Sequence, residues 1–320
     1  MNQEKTTKIS RKYSILAVAA LLVANIIWGA GMPLTSIGVQ YIPPTVFVAI
    51  RYLLVGLLLL PFAVRSWKPL RKRDFSLLIL ASFLNVVLNT FLGTLAYKFT
   101  TVNNVAILGL TYPILLMLLS SRILHEKVGE KTIIGTVIAM FGVFIIVSNG
   151  WSSRGAIGDL LEILSVIFSA TATMINKPAA GKTSLAQQTF LNFFPGGVIF
   201  TIYVAISTHN WHSVLAAPTW VWGLLIAVTI ASSVVGNVLY YFGLKHKAAH
   251  ETGIYFYLQS VVGVIAAYFI LGQKPNSVFV IGAVLVMVGV YLAQIFRGKV
   301  SRKTQIREMA VEEVRENIDE

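Results

Sequence analysis

The sequence predicts an all-α integral membrane protein of ten transmembrane helices, built as two inverted five-helix repeats with both termini cytoplasmic. Three observations carry this: an apolar excess, a row of ten apolar runs, and Lys/Arg confined almost wholly to alternate loops. Hydrophobic residues make up 56% of the 320 residues and charged residues 12%, against roughly 25% charged in a soluble domain. Folded in water, such a chain would expose large apolar patches, so its solvent is lipid. The absence of cysteine excludes a disulfide framework and thiolate-held zinc or iron–sulfur.

A hydrocarbon core about 30 Å thick takes roughly 20 helical residues. Runs of that kind lie near 14–37, 44–64, 74–96, 103–123 and 131–149, then 157–177, 184–206, 219–243, 251–271 and 278–296. Pro, Gly or charged residues separate them, so the loops are short and no soluble domain is expected. The leader, 1–13, resembles a signal peptide in its Lys5, Lys8, Arg11 and Lys12. The spans that follow identify the first run as an uncleaved helix.

With the N-terminus in the cytoplasm, 22 of the 26 Lys and Arg fall on the cytoplasmic side and three, Lys98, Arg154 and Lys274, on the other. This asymmetry sets the orientation by the positive-inside rule. It also explains the net charge of +13 without nucleic acid, the basic loops lying against anionic headgroups. The expected location is a bacterial-type inner (plasma) membrane.

Sliding the chain against itself by 147 positions aligns Leu92 with Leu239, Leu124 with Leu271, Gly135 with Gly282, Met140 with Met287 and Gly142 with Gly289. The repeats are therefore 14–149 and 150–296, followed by a tail, 297–320. Five spans per repeat is odd, so the second copy crosses the membrane in the opposite sense. That architecture recurs in secondary transporters, which hold solute near the midplane between the halves.

The residues that follow resemble the EamA-type family of the drug/metabolite transporter superfamily over nearly the whole chain. They are Trp28-Gly29, Arg51-Tyr52, Tyr112-Pro113, Leu124-His125-Glu126-Lys127 and Gly158-Asp159-Leu160-Leu161. The resemblance implies ten helices, an inverted repeat and a central cavity lined by the first, third, fourth, sixth, eighth and ninth helices. It also implies export of amino acids or related metabolites. The second half departs from the pattern: Gln259-Ser260 stands where relatives commonly carry proline, and Gly272-Gln273 where Gly-Glu is usual.

Polar side chains deep in a span are costly unless paired, cavity-facing or ligand-bound. Asn85 and Asn89 share a face of the third span, Tyr112 lies in the fourth, Asn237 in the eighth, and Gln259 maps onto Tyr112 under the 147-residue offset. With Trp28 and Tyr257, these are the expected solute contacts, offering hydroxyl, amide and aromatic groups to a small amphiphile. Interhelical hydrogen bonding is the alternative role. Trp28, Tyr240, Tyr255 and Tyr257 suggest an aromatic wall, although Tyr255, Trp220 and Trp222 sit where interface anchors are expected.

Pro113 is expected to kink the fourth span. Arg51 and Glu162 lie at similar depth below the outer surface, so an ion pair is one reading. The spacing Asp159-Leu160-Leu161-Glu162 favours a helix-capping box instead. Gly135, Ala139, Gly142, Gly282 and Gly289 form small faces for close packing or for a homodimer.

Enzyme machinery is not visible. Gly181-Lys182-Thr183 looks like a phosphate loop, but Asn176 stands where its first glycine belongs. The five histidines fall in or beside loops without metal-ligand spacing, so neither a catalytic residue, a metal nor a cofactor is expected. No carboxylate is expected securely at mid-membrane, which favours a neutral or zwitterionic solute over cations; Glu251 is a helix-end acid. The expected partners are that solute and membrane lipid. An organic-anion or sugar-phosphate exchanger ranks behind metabolite export because only Arg51 approaches the midplane; a channel or embedded enzyme is the alternative from another class.

Overall fold

The computed structural model describes residues 2–124, 130–149, 154–207, 215–247, 252–289 and 291–292. Glu251, His125 and the tail 297–320 lie outside them. The described chain is helical: α1 (Asn2–Tyr41), α2 (Pro44–Arg65), α3 (Lys72–Ala96), α4 (Val102–Leu108 and Thr111–Leu124), α5 (Glu130–Asn149), α6 (Arg154–Asn176), α7 (Leu185–Ser207), α8 (Thr219–His246), α9 (Phe256–Leu271) and α10 (Ser277–Gly289). Six of them, α1, α2, α3, α6, α7 and α8, are long and apolar enough to cross a membrane.

Three apolar helices are shorter, two of them for local reasons. In α4 the chain turns at Gly109 and Leu110, and the Tyr112 N–H reaches the Gly109 carbonyl three residues back at 3.0 Å. Pro113 explains the position of this turn, since its ring clashes with the carbonyl four residues earlier, that of Gly109, and it has no N–H to offer. In α9 a 3₁₀ turn, Gly253–Tyr255, precedes the helix. Its far end is stopped by Gly272 at φ 65°, with Gln273 N–H bonded back to the Ala267 carbonyl, a geometry that favours glycine.

The surface is apolar and much of the interior is polar. Phe62, Phe141, Phe144, Ile206 and Phe269 are exposed, while Asn25, Gln187, Gln188, Asn192 and Ser233 are buried. A lipid solvent accounts for both, because outward apolar groups cost nothing there and polar groups must find partners inside. The chain is a multi-pass membrane protein. Where Trp220 meets Tyr41 edge-on at 5.0 Å, both rings are exposed as interface anchors are; Tyr255, expected in the same role, instead packs against the core.

Glycine sets the closest approaches. A Cβ on Gly142 would stand 2.7 Å from the Gly282 carbonyl, and one on Gly289 would meet the Gly135 carbonyl at 2.5 Å. The small faces of α5 and α10 are therefore consumed against each other within one chain. Between α2 and α7, Gly197 lies against the Tyr52 backbone and Gly56 under the Phe194 ring.

Both α3 and α8 change to π-helical winding midway, over Phe83–Thr90 and Thr229–Gly236. The two stretches are related by one residue less than the offset found in the sequence. Each wide turn loosens the backbone ladder at mid-helix and is common at functional sites; here both wide turns border the same cavity.

Candidate functional site: a polar cavity inside the bundle

A cavity of about 210 Å³ lies at the centre of the bundle. It continues into a second, more open lobe bordered by Gly31, Thr35, Thr94, Tyr97 and Ser232. Its walls come from α1, α2, α3, α4, α6, α7, α8 and α9. Six of the seven expected contacts line it: Trp28, Asn85, Asn89, Tyr112, Asn237 and Gln259.

The seventh, Tyr257, does not. Phe256 and Gln259, three residues apart, face the cavity, and Tyr257 points about 100° away from Phe256 along the helix. It packs against the apolar cluster of Ile107, Ile114, Phe279 and Val286, its hydroxyl buried without a partner.

The π-helical turn of α3 organises one wall. There the Thr90 hydroxyl donates to the Asn85 carbonyl five residues back at 2.8 Å and meets the Tyr52 hydroxyl at 3.1 Å. The Asn89 amide donates to Asn85 Oδ1 at 2.8 Å, and Ser165 of α6 donates to Asn89 Oδ1 at 2.8 Å. In α8 the corresponding turn frees carbonyls for side chains. Trp28 Nε1 donates to the Ser232 carbonyl at 2.9 Å, and the Asn237 amide reaches the Ser232 and Ser233 carbonyls at 3.1 and 3.0 Å.

Toward one end of the cavity side chains from several helices meet. The Tyr112 hydroxyl meets Thr173 Oγ1 at 2.8 Å and the Tyr240 hydroxyl at 2.9 Å, while the Tyr112 ring lies 4.2 Å from Phe256. Trp28 packs on Tyr240 and Phe256 at 5.3 and 5.8 Å. Below this aromatic cluster, Asn176 and Asn192 exchange two amide hydrogen bonds at 2.8 and 2.7 Å. Lys177 Nζ donates to the carbonyls of Leu244 and Lys247 at the end of α8, and Lys247 Nζ to Ser14 Oγ at 2.9 Å.

Arg51 and Glu162 require corrections. Because α6 begins at Arg154, Asp159 and Glu162 stand inside the helix and neither caps it. Asp159 instead accepts from Thr100 at 2.5 Å and from the Asn104 amide at 3.1 Å, tying the α3–α4 turn to α6. Arg51 and Glu162 both line the cavity and make no ion pair with each other. Arg51 Nε donates to Ser233 Oγ at 2.5 Å. Glu162 thus brings a carboxylate to the cavity wall.

Of the α6 wall, which the family resemblance implies, sequence reasoning singled out Glu162 and missed Ser165, Ser169, Thr173 and Asn176 as lining residues. Glu162, Ser165, Ser169, Thr173 and Asn176 recur at helical spacing along α6, and all five border the cavity. That polar stripe was visible as i, i+3, i+4 periodicity. Phe193 and Phe256 carried no such signal. Among the described residues no group of three His, Asp or Glu side chains could hold a metal.

Comparison with known proteins agrees with this geometry. The chain resembles the uncharacterized transporters YetK of Bacillus subtilis, at 28% identity over 87% of each chain, and YyaM of the same organism, at 29% over 85% of this chain and 92% of the relative. It is 23% identical, over 93% of its length and 99% of the relative, to a probable amino-acid metabolite efflux pump of Salmonella typhimurium. A crystal structure superposes with a TM-score of 0.63 at 13% identity, covering 89% of this chain and 98% of the other, and so shares the fold. These relatives are transporters, not enzymes. The EamA-like transporter profile matches twice, over residues 15–148 and 156–294, and the chain belongs to the EamA-like transporter family.

Proposed function

We propose that the chain is an alternating-access carrier of the bacterial inner membrane that exports a small neutral or zwitterionic metabolite such as an amino acid. In this reading ten spans form two inverted repeats with both termini cytoplasmic, and the described form faces outward. The observation that carries it is the cavity walled by both halves, spanned toward one end by the Tyr112–Thr173–Tyr240 hydrogen bonds and continuous at the other with a more open lobe; the reading takes the hydrogen-bonded end as the closed one. By the Lys/Arg asymmetry the closed end is cytoplasmic.

The related π-helical turns of α3 and α8 support two repeats. The name borne by the Salmonella relative supports amino-acid export. An organic-anion exchanger fits less well, because Arg51, the one cation among the described residues lining the cavity, shares the lining with Glu162.

Counterflow in proteoliposomes tests the reading. Labelled amino acids and uncharged metabolites are offered outside vesicles loaded with the same unlabelled solute. Transient accumulation of at least one solute, reduced in both Asn89→Ala and Gln259→Ala protein, is expected. Unsaturable leak, or silence for every solute, overturns it.

A further inference from the structure

Among the described residues bordering the cavity and its open lobe, Arg51 of α2 and Glu162 of α6 are the sole charged side chains. Charges held at membrane depth ordinarily pair or face water. These two face the same space and stay apart. Glu162 is 7% exposed and has no hydrogen-bond or ion-pair partner among the described residues; its Oε2 lies 3.3 Å from where a Cβ on Gly93 would stand. Arg51 uses Nε on Ser233, and its guanidinium carbon sits 5.4 Å from the Tyr52 ring centre. Its two terminal nitrogens remain as a planar fork, the geometry that takes a carboxylate bidentately. Just past the end of α3, Tyr97 registers both charges: burial and then Glu162 raise its pKa, and Arg51 lowers it.

We propose that Arg51 and Glu162 form a two-charge subsite for a zwitterion, the guanidinium binding the solute's carboxylate and the Glu162 carboxylate its ammonium. This rests on the carrier reading above and narrows its substrate class. The arrangement selects by charge. A simple anion gains Arg51 but meets Glu162, and a simple cation gains Glu162 but meets Arg51. An uncharged solute leaves both charges unsatisfied in a low-dielectric site. Only a solute with both charges satisfies the two walls at once. Gln259 Oε1, buried without a partner, is a further acceptor beside the same cavity. The aromatic floor of Trp28, Tyr112 and Phe256 remains for the solute's side chain.

The test extends counterflow with matched competitors. For whichever amino acid accumulates, the competitors are that amino acid, the amine lacking its carboxylate and the acid lacking its ammonium. In the unsubstituted protein each analogue is expected to compete about ten-fold or more less well, since each forfeits a charge-assisted contact. In Glu162→Gln protein the handicap of the deaminated acid shrinks; in Arg51→Gln protein that of the amine shrinks. A structural role for either residue would lower all three competitors together.

Counterflow of uncharged metabolites alone overturns the subsite and leaves the carrier standing. Analogues that compete as well as the amino acid overturn it too. Silence across the whole panel overturns the carrier reading and the subsite with it. If either variant fails to insert, the ranking of analogues in the unsubstituted protein decides.

Discussion

Tyr112 ties three helices together at the cavity wall through a single oxygen. Its hydroxyl joins α4 to α6 through Thr173 and to α8 through Tyr240, so three helices meet at one atom. Tyr112→Phe keeps the ring on Phe256 and removes both bonds. Interhelical hydrogen bonds within membranes contribute about 0.6 kcal/mol each, so a loss of about 1 kcal/mol is expected in unfolding by denaturing detergent. Its larger effect falls on the closed end, where faster labelling by thiol reagents of a cysteine placed at Ala172, also on the cavity wall, is expected. Unchanged labelling would show that the aromatic packing alone closes this end.

Asp159 presents the opposite balance. Removing its carboxylate leaves Thr100 and Asn104 without an acceptor, so Asp159→Ala should cost about 1–3 kcal/mol while Asp159→Asn, which keeps an acceptor oxygen, costs less. Equal losses would show that the ties to Thr100 and Asn104 carry no weight. The sequence presents both residues within other motifs, Tyr112 through the offset to Gln259 and Asp159 within a capping box. Tyr112 stands on the cavity wall, where its depth and spacing bring it because its span is helical on both sides of the turn. The capping box at Asp159 is not formed because α6 starts a full turn earlier, at Arg154, which no local sequence signal marks.

Elements show where helical periodicity is a sufficient guide and where it is not. The stripe from Glu162 to Asn176 on α6 follows ordinary α-helical spacing and was there to be read. Thr90 was not legible in that way: it reaches the Asn85 carbonyl five residues back only because α3 is wound as a π-helix there, and 3.6-residue periodicity puts the two on different faces. The turn in α4 was legible, since Pro113 dictates it chemically. The small faces of α5 and α10 are legible as faces but not as partners; the sequence allows close packing or a homodimer, and the backbone approach at Gly142 shows that these faces pack within one chain. A side chain there has nowhere to go, because its neighbours are the Gly282 carbonyl and the Val286 amide at 2.7 Å. Gly142→Leu is therefore expected to cost about 1–3 kcal/mol or more. Gly223→Ala on α8, where nothing lies within 4 Å, should be neutral or stabilise by about 0.5–1 kcal/mol through helix propensity. Melting temperatures of the two purified proteins in the same detergent compare them, and a tolerated Gly142→Leu would mean that α5 and α10 separate freely.

At the scale of the whole molecule, sidedness is the property on which every mechanistic statement depends. Ten apolar runs and the Lys/Arg pattern predict a number of crossings and an orientation from length and charge alone, because the bilayer constrains both; six helices of the structure are long and apolar enough to cross. The conformation proposed here is not legible in the sequence, since closing one end and opening the other is decided by which polar groups meet across helices far apart in sequence. The chain has no cysteine, so single-cysteine variants report on both questions against a silent background. Arg71 and Lys274 are exposed and flank opposite ends of the bundle. With a membrane-impermeant maleimide, Lys274→Cys should label in right-side-out vesicles and Arg71→Cys in inverted ones. Thr35, in the open lobe, then distinguishes conformations: Thr35→Cys should label from the outside, and from the inside only when a transported solute draws the cavity through its inward-facing form. Labelling of Thr35→Cys from the inside at rest would mean that the Tyr112 cluster and the Asn176–Asn192 pair do not seal the cytoplasmic end, and an alternating-access cycle beginning from an outward-facing form would no longer describe this protein.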